Sequence, residues 1–161
     1  MSVEKLTAEQ VMTHILVTVT PDESPLMAWE LMRRASIRHL PVVDRDLLGI
    51  LTRDDLAADW SGGPQQQSLR QVRDLIGRRS TPRANPSDPL PKVVAAMLDA
   101  DCDAIPVMAE GKALVGLITA TDVLRAVAGR ITGRIADREE PGEVHGGMFR
   151  LEPVLPSARR S

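Results

Sequence analysis

The sequence predicts an α/β chain built from two copies of one strand-helix-strand-strand-helix unit, with a tail after the second. Three observations predict it. First, Gly49-Ile50-Leu51-Thr52-Arg53-Asp54-Asp55-Leu56 recurs as Gly116-Leu117-Ile118-Thr119-Ala120-Thr121-Asp122-Val123, 67 residues later. Second, Pro21, Met32 and Pro41 recur at a spacing of 65 as Pro86, Met97 and Pro106, and the widening to 67 falls in a longer second hairpin. Third, both copies run in one order: a cap followed by proline, an amphipathic stretch, then two apolar runs joined by a polar turn. A period of this length means duplication of a supersecondary unit and not a solenoid. Neither copy is large enough to bury its sheet face alone, so the two are expected to pack together.

Taken in order, Thr7 and Gln10 read as a capping box opening a short helix at Val11-Met12. Ile15 to Thr20 alternate and are β-branched, which predicts an extended segment stopped by Pro21. Ser24-Pro25 is an N-cap with proline at the first helical position, and Leu26, Trp29, Met32 and Ala35 then give an apolar stripe. Leu40-Pro41-Val42-Val43 and Leu47 to Leu51 read as two strands about a turn at Asp44-Arg45-Asp46, buried on two faces, and a helix follows from Arg53 to about Trp60. Residues 61–68, rich in Gly, Gln and Ser, read as a linker with nothing to bury. The pattern restarts with Ser68 and Gln71 as a second capping box ahead of Val72, Leu75 and Ile76. Thr81 to Ala84 replace the extended segment, and Leu90, Val93, Val94 and Met97 form the next stripe. Ile105 to Met108 and Leu114 to Ile118 rebuild the strand pair. The expected domains are therefore repeat 1 over 8–60, a linker over 61–68, repeat 2 over 69–129 and a tail over 130–161. Charge, glycine and proline in that tail suit a flexible segment; its patch at Met148-Phe149 and Leu151 suits a strand or turn that docks.

With 43% apolar residues over 161 and a net charge of −2, the chain can bury a core without metal or disulfides, and its balance points to neither nucleic acid nor membrane. No apolar run approaches the roughly 18 residues needed to cross a bilayer, the N-terminus lacks a signal pattern, and one cysteine makes no internal disulfide, so a cytoplasmic location is expected. Aromatics are limited to Trp29, Trp60 and Phe149, so a ligand site would rely on aliphatic walls and backbone groups. No nucleophile, base and orienting acid group together, and there is no P-loop, so no enzyme is expected.

The tandem units, the aliphatic-Pro-Val strands and the paired Gly-aliphatic-aliphatic-Thr-x-x-Asp motifs resemble the CBS domain family over residues 8 to about 128. Each motif is short; order, spacing and duplication together carry the resemblance. It implies a pseudo-twofold module with clefts between the repeats that often take AMP, ADP, ATP or S-adenosylmethionine as an effector, no required cofactor, and frequent homodimerisation into a flat disc. By position, the implied ligand residues are Thr52, Asp55, Thr119 and Asp122, with His39 and Leu40 before Pro41 and Ala104 and Ile105 before Pro106 along the base.

The physics of Thr-x-x-Asp supports two readings. At a strand-to-helix junction it gathers four helix N–H groups at the positive end of a dipole, where an anion sits well, and an ionised Asp accepts from a ribose diol. The same four residues are also an N-cap with an acid in the first turn. Ile50, Leu51, Leu117 and Ile118 would wall an adenine. Arg53 follows Thr52 where the second copy has Ala120, which predicts better phosphate contacts and unequal occupancy favouring the first motif. Arg33, Arg34, Arg38 and Arg125 read as further cations or as solvated charge. His39 is a cleft residue or a partly buried structural histidine; His14 and His145 lack ligand spacing. Cys102 aligns with Ile37 and reads as a thiol filling an aliphatic slot. The leading expectation is a regulatory adenine-nucleotide sensor, typically a homodimer, that signals to a protein target. The alternative is a ligand-free dimerisation or adaptor module.

Overall fold

In the computed structural model, residues 2–77 and 80–131 are described, together with the backbone of 151–153. The element order is α1 (Ala8–Val11), β1 (Ile15–Val17), α2 (Pro25–Ala35), β2 (His39–Asp44), β3 (Asp46–Thr52), α3 (Arg53–Asp59), α4 (Gly63–Leu69), α5 (Arg73–Ile76), α6 (Leu90–Asp99), β4 (Ala104–Met108), β5 (Leu114–Thr119), α7 (Ala120–Val127) and β6 (Leu151–Pro153). This is the duplicated α/β plan that the repeats predict. Among described residues, the chain forms two compact units: one of residues 17–80, the other of 2–16 with 81–131. The strand β6, paired with β1, falls within the expected tail. The rest of that tail beyond Ile131, Phe149 included, lies outside the described residues.

In the first unit β2 and β3 form an antiparallel hairpin that pairs His39 with Thr52, Leu40 with Leu51 and Val42 with Gly49. Val19 runs parallel beside Val42, its N–H on the Pro41 carbonyl at 3.0 Å and its carbonyl taking the Val43 N–H at 2.9 Å. The helix α2 starts on the Ser24 hydroxyl, which accepts from Met27 N–H at 3.2 Å, with Pro25 at the start where its missing donor costs nothing. Its buried residues are Pro25, Ala28, Leu31 and Met32. The apolar stripe is thus rotated from the expected one, because Trp29 sits at the rim, 38% exposed, and tilts against Trp60 with centroids 6.1 Å apart. Leu40, Val42, Leu51, Leu56, Val72, Leu75 and Ile76 complete the core with Val19.

The second unit repeats the plan. β4 and β5 pair Ala104 with Thr119, Ile105 with Ile118 and Val107 with Gly116. Ala84 stands beside Val107 as Val19 does beside Val42, with Ala84 N–H on the Pro106 carbonyl at 2.9 Å and Met108 N–H on the Ala84 carbonyl at 2.8 Å. Ala8, Met12, Ala84, Val93, Met97, Ile105, Val107 and Ile118 form its core. β4 is buried throughout, as an apolar run predicts, whereas β3 alternates between buried and exposed.

The leading helices are exchanged. α1, first in the sequence, packs in the second unit against β5, α6 and α7, whereas α5 packs in the first against β3 and α3. The docking is equivalent: Ala8 and Glu9 donate N–H to the carbonyls of Asp88 and Pro86, and Val72 and Arg73 to those of Glu23 and Pro21, at 2.8–3.0 Å. This match sets the helices 64 residues apart, one fewer than the strands. Two expectations change with it. The second cap is not Ser68 with Gln71: Asp74 accepts from the Gln71 N–H at 3.4 Å, as Gln10 accepts from Thr7 N–H at 3.0 Å, while the Ser68 hydroxyl donates to the Gln65 carbonyl. The stretch over 61–68 does have something to bury, because most of it lies in α4, which packs on α2 and buries Gln67 completely. A polar composition hid that helix.

Candidate functional site

Each Thr-x-x-Asp motif ends a strand and opens a helix. Thr52 caps α3: its hydroxyl accepts from Asp55 N–H at 3.0 Å, and Asp55 Oδ2 accepts from Thr52 N–H at 3.0 Å. Thr119 caps α7 likewise, with Asp122 N–H to the hydroxyl at 3.3 Å and Thr119 N–H to Asp122 Oδ2 at 2.9 Å. The next amide is also occupied, since Arg53 N–H donates to the Arg38 carbonyl at 3.0 Å and Ala120 N–H to the Asp103 carbonyl at 2.9 Å. Three of the four donors at each helix start are therefore met from within the unit. The expected anion seat of four amides is smaller than the motif suggests: only the amides of Asp54 and Thr121 stand outside these networks.

The two carboxylates differ. Asp55 is half-buried, whereas Asp122 is 4% exposed and is met by several side chains. The Thr119 hydroxyl donates to its Oδ2 at 3.0 Å, the Thr13 hydroxyl approaches Oδ1 at 3.4 Å and Oδ2 at 3.5 Å, and Arg125 lies 3.6 Å from Oδ1. Thr13 is the residue that reading the sequence missed. It is distant in the chain and reaches Asp122 only because α1 docks in the second unit.

The other expected site residues gather within each unit. His39, half-buried, faces Thr52 across the hairpin, and Ala104 faces Thr119. Leu40 and Ile105 are fully buried and belong to the two cores, and the carbonyls of Pro41 and Pro106 are taken by Val19 and Ala84. Of the expected aliphatic walls, Leu51 and Ile118 are core residues with no exposure, leaving Ile50 half-buried and Leu117 nearly covered. Arg53 is exposed at the first position of α3. Arg33 and Arg34 instead clamp Glu30 at 2.8 and 2.7 Å, and their guanidinium hydrogen bonds hold its carboxyl down to about 2. Cys102 packs against the second core as Ile37 does against the first, and burial pushes its thiol up, which suits an inert slot-filler. Among the described residues no group of three His, Cys, Asp or Glu could hold a metal, and no helix is long and apolar enough to cross a membrane.

Comparison with known proteins agrees with this geometry. The CBS domain profile matches residues 8–60 and 72–129. The Methanocaldococcus jannaschii protein MJ1225 is 32% identical over 126 residues, which cover 72% of this chain and 45% of that protein; the chain thus spans less than half the length of this relative. The CBS domain pair of protein MJ0100, solved with 5-methylthioadenosine and S-adenosyl-L-methionine, shares the fold with a TM-score of 0.63 at 22% identity, covering 78% of this chain and 98% of that one. CBSX2 in complex with AMP superposes with a TM-score of 0.65 at 27% identity, covering 76% and 96%.

Proposed function

The chain belongs to the CBS domain family, and from that premise we propose that it is a regulatory module whose Thr-x-x-Asp motifs take an adenine nucleotide, AMP, ADP or ATP, or S-adenosylmethionine as effector. The observation that carries this reading is the cross-strand pairing of His39 with Thr52 and of Ala104 with Thr119, each next to an Asp one helical turn on. Asp55 and Asp122 would accept from ribose hydroxyls, Thr52 and Thr119 would lie by the phosphate or ribose, and Arg53 would neutralise phosphate charge. Backbone and side chains at His39, Leu40, Pro41, Ala104, Ile105 and Pro106 would border the base. The AMP held by CBSX2 and the S-adenosylmethionine held by the MJ0100 pair support this ligand class.

Occupancy would signal to a protein target, which requires that the effector bind two states of the module unequally. A homodimer suits this role, and Leu124, Val127 and Ile131, at and beyond α7, are exposed apolar side chains available to it. A second reading, a ligand-free dimerisation or adaptor module, is favoured by one observation: both motifs already form complete reciprocal caps.

A thermal-shift panel with AMP, ADP, ATP, S-adenosylmethionine and adenosine on wild type, Asp55→Asn and Asp122→Asn separates the two. A ligand at 100 times its Kd adds about 2.7 kcal/mol, a shift of several degrees for a chain of this length. The sensor reading expects one compound to raise the midpoint and one substitution to remove the gain. No shift with any compound, with both substitutions simply lowering the midpoint, selects the adaptor reading.

A further inference from the structure

Building on the nucleotide reading above, we propose that Thr13 is a built-in competitor for the ligand's hydroxyl groups at Asp122, a latch on the second motif. Thr13 follows α1 and is held beside β5 by a two-way bridge, its N–H on the Leu117 carbonyl at 2.9 Å and Leu117 N–H on its carbonyl at 3.2 Å. That bridge aims its hydroxyl at both oxygens of Asp122, at 3.4 and 3.5 Å. With the Thr119 hydroxyl at 3.0 Å, the carboxylate faces two hydroxyl groups, the chemistry that a vicinal diol presents. Asp122 is 4% exposed and the Thr13 hydroxyl stands at both of its oxygens, so a diol and Thr13 compete for the same acceptors. The Thr13 bonds are long and therefore weak, which makes the displacement feasible. Arg125, 3.6 Å from Oδ1, remains as countercharge when the hydroxyl leaves.

In the first unit the position equivalent to Thr13 carries no hydroxyl. The equivalent docking of α5 places Ile76 where the second unit has Met12, and so Gly77 answers to Thr13; a glycine offers no hydroxyl. The apparent affinity at Asp122 is reduced by the fraction of time the latch is shut, and ligand arrival there loosens the segment that carries α1.

The test titrates AMP by calorimetry into Asp55→Asn protein, which isolates the Asp122 motif, with Thr13 kept, replaced by Ala or replaced by Ser. Thr13→Ala is expected to tighten AMP about three- to ten-fold, the scale of one modest hydrogen bond, and Thr13→Ser, which keeps the hydroxyl, to leave it unchanged. Equal or weaker binding by Thr13→Ala overturns the competitor role. A ligand-free measurement stands beside it: hydrogen exchange of residues 8–13 is expected to quicken in Thr13→Ala and Asp122→Asn and not in Thr13→Ser. Unchanged exchange in Thr13→Ala overturns the latch itself. If AMP binds to none of the proteins, wild type included, AMP is excluded as the effector and the competitor role toward it falls, the wider nucleotide reading being decided by the thermal-shift panel, while the exchange result still decides whether the latch exists.

Discussion

Met12 lies against the bare backbone of Gly116, so closely that a Cβ placed on the glycine would come 2.7 Å from Met12 Cγ and 3.1 Å from its Cβ. The counterpart in the first unit is looser, because a Cβ on Gly49 would meet Ile76 at an ordinary 3.7 Å. Gly116→Ala must therefore push Met12, and with it α1, off β5. A loss of about 1–3 kcal/mol is expected, as for other overpacked cores, against less than about 0.5 kcal/mol for Gly49→Ala. Urea denaturation of the two variants checks this; equal midpoints would show that α1 yields freely.

Asp88 ties the start of α6 to α1. Its Oδ2 accepts from Asn85 N–H and its Oδ1 from the Lys92 ammonium, both at 2.8 Å, and its own carbonyl receives Ala8 N–H at 2.9 Å. The Asn85 N–H first, then Lys92, hold its carboxyl below the ordinary 3.8. A value lowered by folding stabilises the native state above the unfolded value, and that stability is lost as pH falls through the folded value. Asp88→Ala is accordingly expected to be about 1 kcal/mol less stable than wild type at pH 7, with the gap closing as pH drops below about 4. Denaturation midpoints of both proteins from pH 7 to 3 measure it, and a gap that widens on acidification would contradict the assignment.

Gln67 is fully buried in α4 and donates from Nε2 to the Ser61 carbonyl at 2.8 Å and to the Asp59 carbonyl at 3.4 Å. Its Oε1, also buried, has no partner among the described residues. Gln67→Glu replaces a donor with a second acceptor facing two carbonyls, and burial must raise the new carboxyl. A loss of about 2 kcal/mol or more at pH 7 is expected. Because the native form of this variant prefers the proton, its stability should recover as pH falls toward 5, opposite in sign to the Asp88 effect. A pH-independent loss would mean that α4 simply detaches.

The repeats, the hairpins and the Thr-x-x-Asp caps were legible because each rests on local pattern: a period, a run of apolar residues, a cap one turn from its helix. His39 opposite Thr52 follows from the hairpin alone. What stayed hidden was carried by short or polar segments. A helix of four residues such as α1 has too few positions to declare a partner, and the shift from 65 to 64 between α1 and α5 cannot be seen until their carbonyl acceptors are known. The reading of Ser68 with Gln71 as the second cap failed for that reason. Helical spacing with Leu26 and Met32 suggested a core position for Trp29, but its ring found Trp60 at the rim and left the interior to Ala28 and Leu31. At the site, the Asp-bearing motif was readable and the occupant of its carboxylate was not, since Thr13 is 109 positions away in the chain.

The exchange of leading helices also bears on ancestry. The helix that covers the hairpin of each sequence repeat is supplied by the other repeat, so one repeat alone has the means to cover a neighbour and not itself. A one-repeat forebear with this geometry could have been complete only as two chains trading their first helices. Fusion of two such genes would keep the trade intact while freeing the copies to diverge, and Thr13 in one unit against Gly77 in the other is a divergence that identical chains could not have held.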